Sequence, residues 1–384
     1  MALVELGSIL HFEKGKKPIS QSDSPADGFL PYVDIEAFET GKIKQYTDGT
    51  KCTPCDDGDI LIVCDGSRSG LVGRAVKGYV GSTLAKISAD CLSDQYLFHF
   101  VQGKYALLNT KKKGTGTPHL NQELLKQQKL IVPSYSEQER IVARIEELFS
   151  QLDAGVETLK KTKAQLAVYR QAVLKEAFEG DYPRKQLKEF SKAISGFAFK
   201  SSRYSPDGNY VVVKIGNVKE RHFDFSRDLT KTLEADDSIL EKYLLRRGDC
   251  LITLTGSRGK RDYGFVAMVG NQNNYLLNQR VAALRFDQSV ALPEFFQYYL
   301  ASPSYRDMFF GYETGNVGQG NVGIKALLDP YVILPDIDTQ KRIVEDVEDR
   351  LSVCDSIEQT VDTALQQAEA MRQSILKDAF EGRL

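Results

Sequence analysis

Two short segments of this 384-residue chain place a hydroxyl and a guanidinium on a glycine turn: Gly66-Ser67-Arg68 and Gly256-Ser257-Arg258. Arginine can grip a phosphate or the O6/N7 edge of guanine through two parallel hydrogen bonds, and serine can bond a phosphate. The same triplet in two otherwise different surroundings points to phosphate contacts that position a nucleic acid. The plainer alternative is a hairpin turn whose arginine pairs with a carboxylate. The most basic short run is Lys111-Lys112-Lys113-Gly114-Thr115-Gly116-Thr117-Pro118-His119. Its counterpart near the other triplet is neutral and amide-rich, with Asn316, Gln319 and Asn321 among glycines. Glycine lets such loops approach bases closely, and Asn or Gln suits adenine. Lys14, Lys16 and Lys17 in one half, and Lys200, Ser201 and Arg203 in the other, follow a first strand. Arg74, Lys260 and Arg261 extend the Gly-Ser-Arg loops. All are candidate DNA contacts.

Catalytic patterns are missing from the sequence. There is no GxxxxGK[ST] phosphate loop, no Asn-Pro-Pro-aromatic motif and no complete glycine-rich cofactor fingerprint. Cys52-Thr-Pro-Cys55 has the spacing of half a zinc site, but no second pair completes the four ligands that structural zinc requires. The four histidines have no nucleophile or base at useful spacing. These absences predict a chain that binds and does not catalyse, with no metal or cofactor of its own.

The elements that must carry the loops are duplicated. Residues 133–180 align without a gap on residues 335–382, an offset of 202 (335 − 133), with 18 of 48 positions identical. Gln138-x-Arg140-Ile141-Val142 recurs as Gln340-x-Arg342-Ile343-Val344. Upstream, Tyr32-Val33-Asp34-Ile35 lies over Val212-Val213-Lys214-Ile215, and Gly58-Asp59-x-Leu61-Ile62 over Gly248-Asp249-x-Leu251-Ile252. Leu92, Tyr96 and Phe98 lie over Leu292, Phe296 and Tyr298. The offsets 180, 190, 200 and 202 only increase, as loop insertions in one copy require. So long a period excludes a solenoid and implies two similar halves.

Phe29–Phe38 and Asp59–Cys64 read as strands, Asp94–Leu108 as a helix and Leu130–Pro133 as an exit strand. Ser136, with Glu139 three residues on, reads as the capping box of a long helix, and Asp338 as the cap of its second copy. Ile145, Leu152, Leu159, Leu166 and Val173 fall seven apart, with Leu148 and Tyr169 between. Val347, Cys354, Val361, Ala368 and Ile375 do the same, with Ile357, Ala364 and Met371 between. Heptads of this kind predict an antiparallel two-helix coiled coil, each helix spanning roughly 60 Å. The expected class is α+β: two tandem mixed domains and a pseudo-twofold coiled coil, with segments 1–135, 136–180, 181–335 and 336–384.

Composition is compatible with this. The chain is 42% hydrophobic and 10% aromatic, enough for two cores, and its net charge of −2 neither favours nor excludes nucleic acid. Six irregularly spaced cysteines fit a reducing compartment, and no run approaches a membrane span. A cytoplasmic protein is expected.

The collinear, duplicated order of these soft motifs resembles the specificity subunit of type I restriction–modification systems, over the whole length of the chain. The resemblance implies that each mixed domain is a target-recognition domain reading one half of a bipartite site in double-stranded DNA. The coiled coil would fix the spacer, with half-sites about one helical turn, roughly 34 Å, apart. It also implies two docked methyltransferase subunits, joined by restriction subunits; S-adenosylmethionine, ATP and magnesium would be bound by those partners. The best-copied segments would then be docking surfaces, one per methyltransferase: Arg170, Gln171, Lys175, Phe178 and Glu179, and Arg372, Gln373, Lys377, Phe380 and Glu381. Packing of Phe178 and Phe380 on the adjoining domains is the alternative for those two. Rival readings are a coiled-coil adaptor with protein- or sugar-binding domains, and the specificity subunit of a related system whose nuclease and methyltransferase are fused.

Overall fold

The computed structural model describes residues 2–114, 116, 118–232, 236–316 and 318–384. By its contacts the chain forms two compact units, Met1–Lys160 with Asp362–Leu384, and Lys161–Val361.

In the first unit the apolar run Ile60–Val63 is a strand at the interior of a four-stranded antiparallel sheet, between Leu84–Ala89 and Val72–Arg74, with Leu10–Lys14 at one edge. Its side chains alternate between two cores, as period-two geometry dictates. Ile60 and Ile62 join Leu6, Leu97 and Phe100, whereas Leu61 and Val63 join Val33, Val80 and Leu84. A strand buried on both faces is necessarily an unbroken apolar run. In the second unit Cys250–Thr253 repeats the arrangement, beside Val281–Phe286 and Val266–Met268. A second sheet in each unit holds a parallel pair, Leu30–Val33 with Gly78–Val80 and Tyr210–Val213 with Tyr275–Leu277.

The Gly-Asp pair before each central strand is a turn device. Gly58 and Gly248 are left-handed, at φ 87° and 86°, a conformation that suits glycine. The following carboxylates close the turn, Asp59 accepting the Asp56 N–H at 2.9 Å and Asp249 the Arg246 N–H at 2.8 Å. Asp249, only 1% exposed, also takes two 2.7 Å hydrogen bonds from Arg285.

Several sequence expectations shift. The strand expected over Phe29–Phe38 covers only Leu30–Val33, because Asp34 caps a helix, Ile35–Thr40, by accepting the Ala37 N–H at 2.8 Å. The helix expected over Asp94–Leu108 is two, Asp94–Gly103 and Tyr105–Thr110, broken at Lys104.

The first and last strands of each mixed domain pair antiparallel, Ala2–Glu5 with Lys129–Val132 and Arg184–Gln186 with Tyr331–Ile333. Each last strand then feeds a long helix, Tyr135–Ala177 or Ile337–Phe380. The expected caps are two residues late. Ser136 lies inside the first helix, which Ser134 precedes, and Asp338 lies inside the second. There Asp336 is the cap, accepting the Thr339 N–H at 2.9 Å.

Within each unit the helix segments run antiparallel. In the first, Ile145 and Phe149 pack with Leu376 and Ala379, and Arg372 pairs with Asp153. In the second, Arg170 pairs with Asp355 at 2.6 Å and Arg350 with Glu176 at 2.8 Å. The seven-residue seam holds at Ile145, Leu166, Val173, Val347, Cys354, Val361 and Ala368, which are buried. Tyr169, Ile357 and Met371 are exposed instead. Seven residues fall just short of two turns of a 3.6-residue helix, so the stripe drifts off a fixed heptad position. No helix among the described residues is long and apolar enough to cross a membrane.

Candidate nucleic-acid interface

Just beyond each central strand, the Gly-Ser-Arg turn and the glycine-rich loop, remote in sequence, are joined in one tip. In the first unit the backbone of His119 bridges both Asp65 and Lys113, and the Gly66 N–H donates to the Pro118 carbonyl at 2.8 Å. In the second unit Thr255-Gly256 pairs antiparallel with Gly320-Asn321, and Thr314 bridges Asn321. Position 65 therefore corresponds to 255, and 119 to 321.

A cation ties the two loops of each tip, in opposite senses. Lys112 donates from the glycine-rich loop to the Ser67 carbonyl at 2.9 Å. Arg258 donates from the Gly-Ser-Arg turn to the Gly315 carbonyl at 2.7 Å. Arg68 pairs with Glu39, the carboxylate alternative raised by its sequence. Ser257 is anchored by its N–H to Asp262 at 2.7 Å, while Ser67 and the side chain of Arg258 are exposed.

The first tip contains a charge network that the sequence reading missed. Asp65 accepts from Lys14 Nζ at 2.7 Å through one oxygen and lies 2.7 Å from His119 Nδ1 through the other. Burial works to raise the Asp65 pKa, but the hydrogen bonds from Lys14 and His119 outweigh it and hold the carboxyl below its ordinary value. At the second tip the corresponding residues, Thr255 and Asn321, are neutral.

Other candidate cations are exposed. Among the described residues no carboxylate pairs with Lys16, Lys17, Lys111, Lys113 or Lys200, while Arg203 and Lys260 lie in the fields of Asp236 and Asp262. All seven are exposed, as are Ser201, Asn316 and Gln319. Thr115 and Thr117 lie outside the described residues. Two candidates are placed elsewhere or otherwise engaged. Arg74 sits opposite Ile60, at the other end of the hairpin from Gly66. It donates to the Gly58 carbonyl at 2.9 Å and stacks 4.4 Å over Phe98, which makes it a packing residue. Arg261 pairs with Asp307 at 2.6 Å and lies over Phe310.

The duplicated helix residues attach each mixed domain to its helices. Gln138 and Gln340, both 0% exposed, make matching sets of three hydrogen bonds. Gln138 accepts the Ser93 N–H at 2.7 Å and donates to the Cys91 and Pro133 carbonyls. Gln340 accepts the Leu292 N–H at 2.8 Å and donates to the Val290 and Pro335 carbonyls. The local offset between the domains is therefore 199 (292 − 93), not the 200 read from Leu92 and Leu292. Phe380 packs edge-on against Tyr96 and Phe100 at 5.0 and 5.3 Å, and Phe178 against Phe295 and Tyr299 at 5.4 and 5.3 Å. These contacts bear on four of the docking candidates. Phe178 and Phe380 pack on the mixed domains, and Arg170 and Arg372 bind carboxylates on the facing helix. Gln171, Lys175, Glu179, Lys377 and Glu381 are exposed, and Gln373 is half-buried.

A profile described as the type I restriction modification DNA specificity domain matches residues 1–167 and again 179–367. The chain belongs to that family. It is 25% identical to the MjaVIII specificity subunit of Methanocaldococcus jannaschii, over 100% of this chain and 92% of that one. It is 23% identical to the EcoBI specificity subunit of Escherichia coli, over 85% of this chain and 73% of that one. Among solved structures, a chain from a type I R-M system superposes with a TM-score of 0.75 at 19% identity, covering 100% and 98% of the two chains. The HsdS subunit of Thermoanaerobacter tengcongensis gives 0.55 at 20%, covering 100% and 97%. These structures share the fold: tandem specificity domains joined by long helices. Nothing in the tips follows from that likeness, so their chemistry is this chain's own.

Proposed function

We propose that this chain is the DNA sequence-recognition subunit of a type I restriction–modification complex, each mixed domain reading one half of a bipartite site. One observation carries the reading. Two copies of a family specificity domain share turns, central strands and helix anchors, yet their tips differ in chemistry, Lys14, Asp65 and His119 in one and Thr255 and Asn321 in the other. A duplicated frame with unlike tips suits an asymmetric target. Exposed lysines supply the sequence-independent attraction to phosphates.

In this reading the long helices fix the spacer and carry two methyltransferase subunits. Support comes from a groove of about 260 Å³ that recurs in each unit. Arg140, Ile141, Ala379 and Leu384 line one, and Arg342, Ile343, Ala177 and Tyr182 line the other at an offset of 202. Equivalent grooves fit two copies of one partner. Restriction subunits join that assembly in the cytoplasm. S-adenosylmethionine, ATP and magnesium are held by the partners, and this chain measures and binds without catalysing. The test is an electrophoretic shift with the methyltransferase present. Scrambling either half-site should abolish specific binding, whereas an unchanged affinity would refute the role.

A further inference from the structure

We infer that His119 and Asn321, at equivalent positions, are the base-reading residues of the two tips, and that Asp65 is the positioning residue that aims His119. This rests on the proposed recognition role and adds to it the residue and the base chemistry.

Sheet register places the two residues at equivalent positions. His119 and Asn321 each sit where the glycine-rich loop returns to the strand extension, bridged on both sides. Base readers in two halves with different targets must occupy equivalent places and differ in chemistry. These two positions do both, whereas Ser67 and Ser257, and Arg68 and Arg258, are the same residue types in both tips and so do not distinguish unlike targets.

Asp65 fixes the orientation of the His119 ring. An ionised carboxylate only accepts hydrogen bonds, so the 2.7 Å contact between Asp65 Oδ1 and His119 makes Nδ1 the donor. Asp65's other oxygen is occupied by Lys14, whose charge offsets the carboxylate that would otherwise repel DNA. Nε2 has no partner among the described residues, and the side chain is 55% exposed. A neutral imidazole held in this tautomer presents Nε2 as an acceptor. In the major groove the donors are the exocyclic amines of adenine and cytosine. His119 should therefore face one of those two bases. Asn321, whose amide makes no hydrogen bond to a described residue, offers the donor and acceptor that match adenine N6 and N7.

The experiment maps methylated adenines in DNA from cells carrying the full chain with its methyltransferase. His119→Ala should relax one position of the first half-site, normally adenine or cytosine on one strand, by about tenfold or more in discrimination. The second half-site and the spacer should stay as they were. Asp65→Ala should relax the same position and Asp65→Glu should restore it. Asn321→Ala should relax one position of the second half-site alone. In the free chain, ¹⁵N imidazole shifts should report an Nδ1–H tautomer for His119 that Asp65→Ala abolishes. An unaltered motif in His119→Ala, or uniform weakening at every position, overturns the inference while leaving the recognition role intact. A wild-type motif that is not bipartite overturns both.

Discussion

Arg372 binds Asp153, and the residues 202 positions away, Arg170 and Asp355, form the same ion pair in the other unit. The two pairs are not equally supported. Arg170 adds Glu358 at 2.7 Å, whereas Arg372 stacks 4.4 Å over Phe149. Ion pairs with one exposed partner contribute about 0.2–1 kcal/mol, and an exposed cation–π contact about 0.5–1 kcal/mol. Arg372→Ala should therefore lower stability in denaturant by roughly 1–2 kcal/mol. Asp153→Ala, which spares the stacking on Phe149, should cost less.

Gln138 and Gln340 should matter far more than their surface neighbours. Each is itself fully buried and satisfies one N–H and two carbonyls, and a buried polar group left unpaired costs its desolvation. Truncation to alanine should cost about 2–4 kcal/mol, measured by urea unfolding. A loss under about 0.5 kcal/mol would mean that water replaces the side chain.

His99 makes the first unit sensitive to acid. Burial pushes its pKa below the ordinary 6.5, against smaller opposing effects from Gln102 and Glu146, while Arg74 also disfavours the cation. Its Nε2 is buried without a hydrogen-bond partner, 3.8 Å from Glu146. Because the unfolded chain takes up a proton that the folded one resists, stability is complete above about pH 6.5 and falls as the pH drops through that value. Tyr298 occupies the matching place in the second unit and bonds Glu348 at 3.3 Å. His99→Tyr should flatten the acid limb of the stability profile below about pH 6.5.

The frame was largely legible from the chain and the tips only in part. Duplicated turns, buried central strands and helix seams are local or periodic signals, and the structure contains them. The caps were misplaced by two residues because Ser136 and Asp338 are as suited to capping as Ser134 and Asp336, the residues next to Pro133 and Pro335. Arg170 and Arg372 read as exposed docking residues because their carboxylate partners are about 185 and 219 residues distant. Asp65 went unremarked for the same reason. One aspartate beside a glycine reads as a turn, and only sheet register brings Lys14 and His119 to it.

Lys111 and Lys113 are exposed without an ion partner and should contribute to every DNA sequence alike. Replacing either with alanine should weaken specific and non-specific binding in parallel. The slope of log affinity against log salt should fall by roughly one for each lysine that sits on a phosphate. Titration of binding between about 50 and 200 mM salt reads this directly. An unchanged slope would remove the lysine from the interface.

The central claim is that two copies of one frame present unlike tips to separate stretches of a duplex at once. Mapping every methylated adenine in DNA from cells that carry this chain with its methyltransferase tests it most directly. One asymmetric motif in two parts, with a gap of constant length, is the expected result. A continuous motif, two identical half-sites, or a gap that varies from site to site would contradict it.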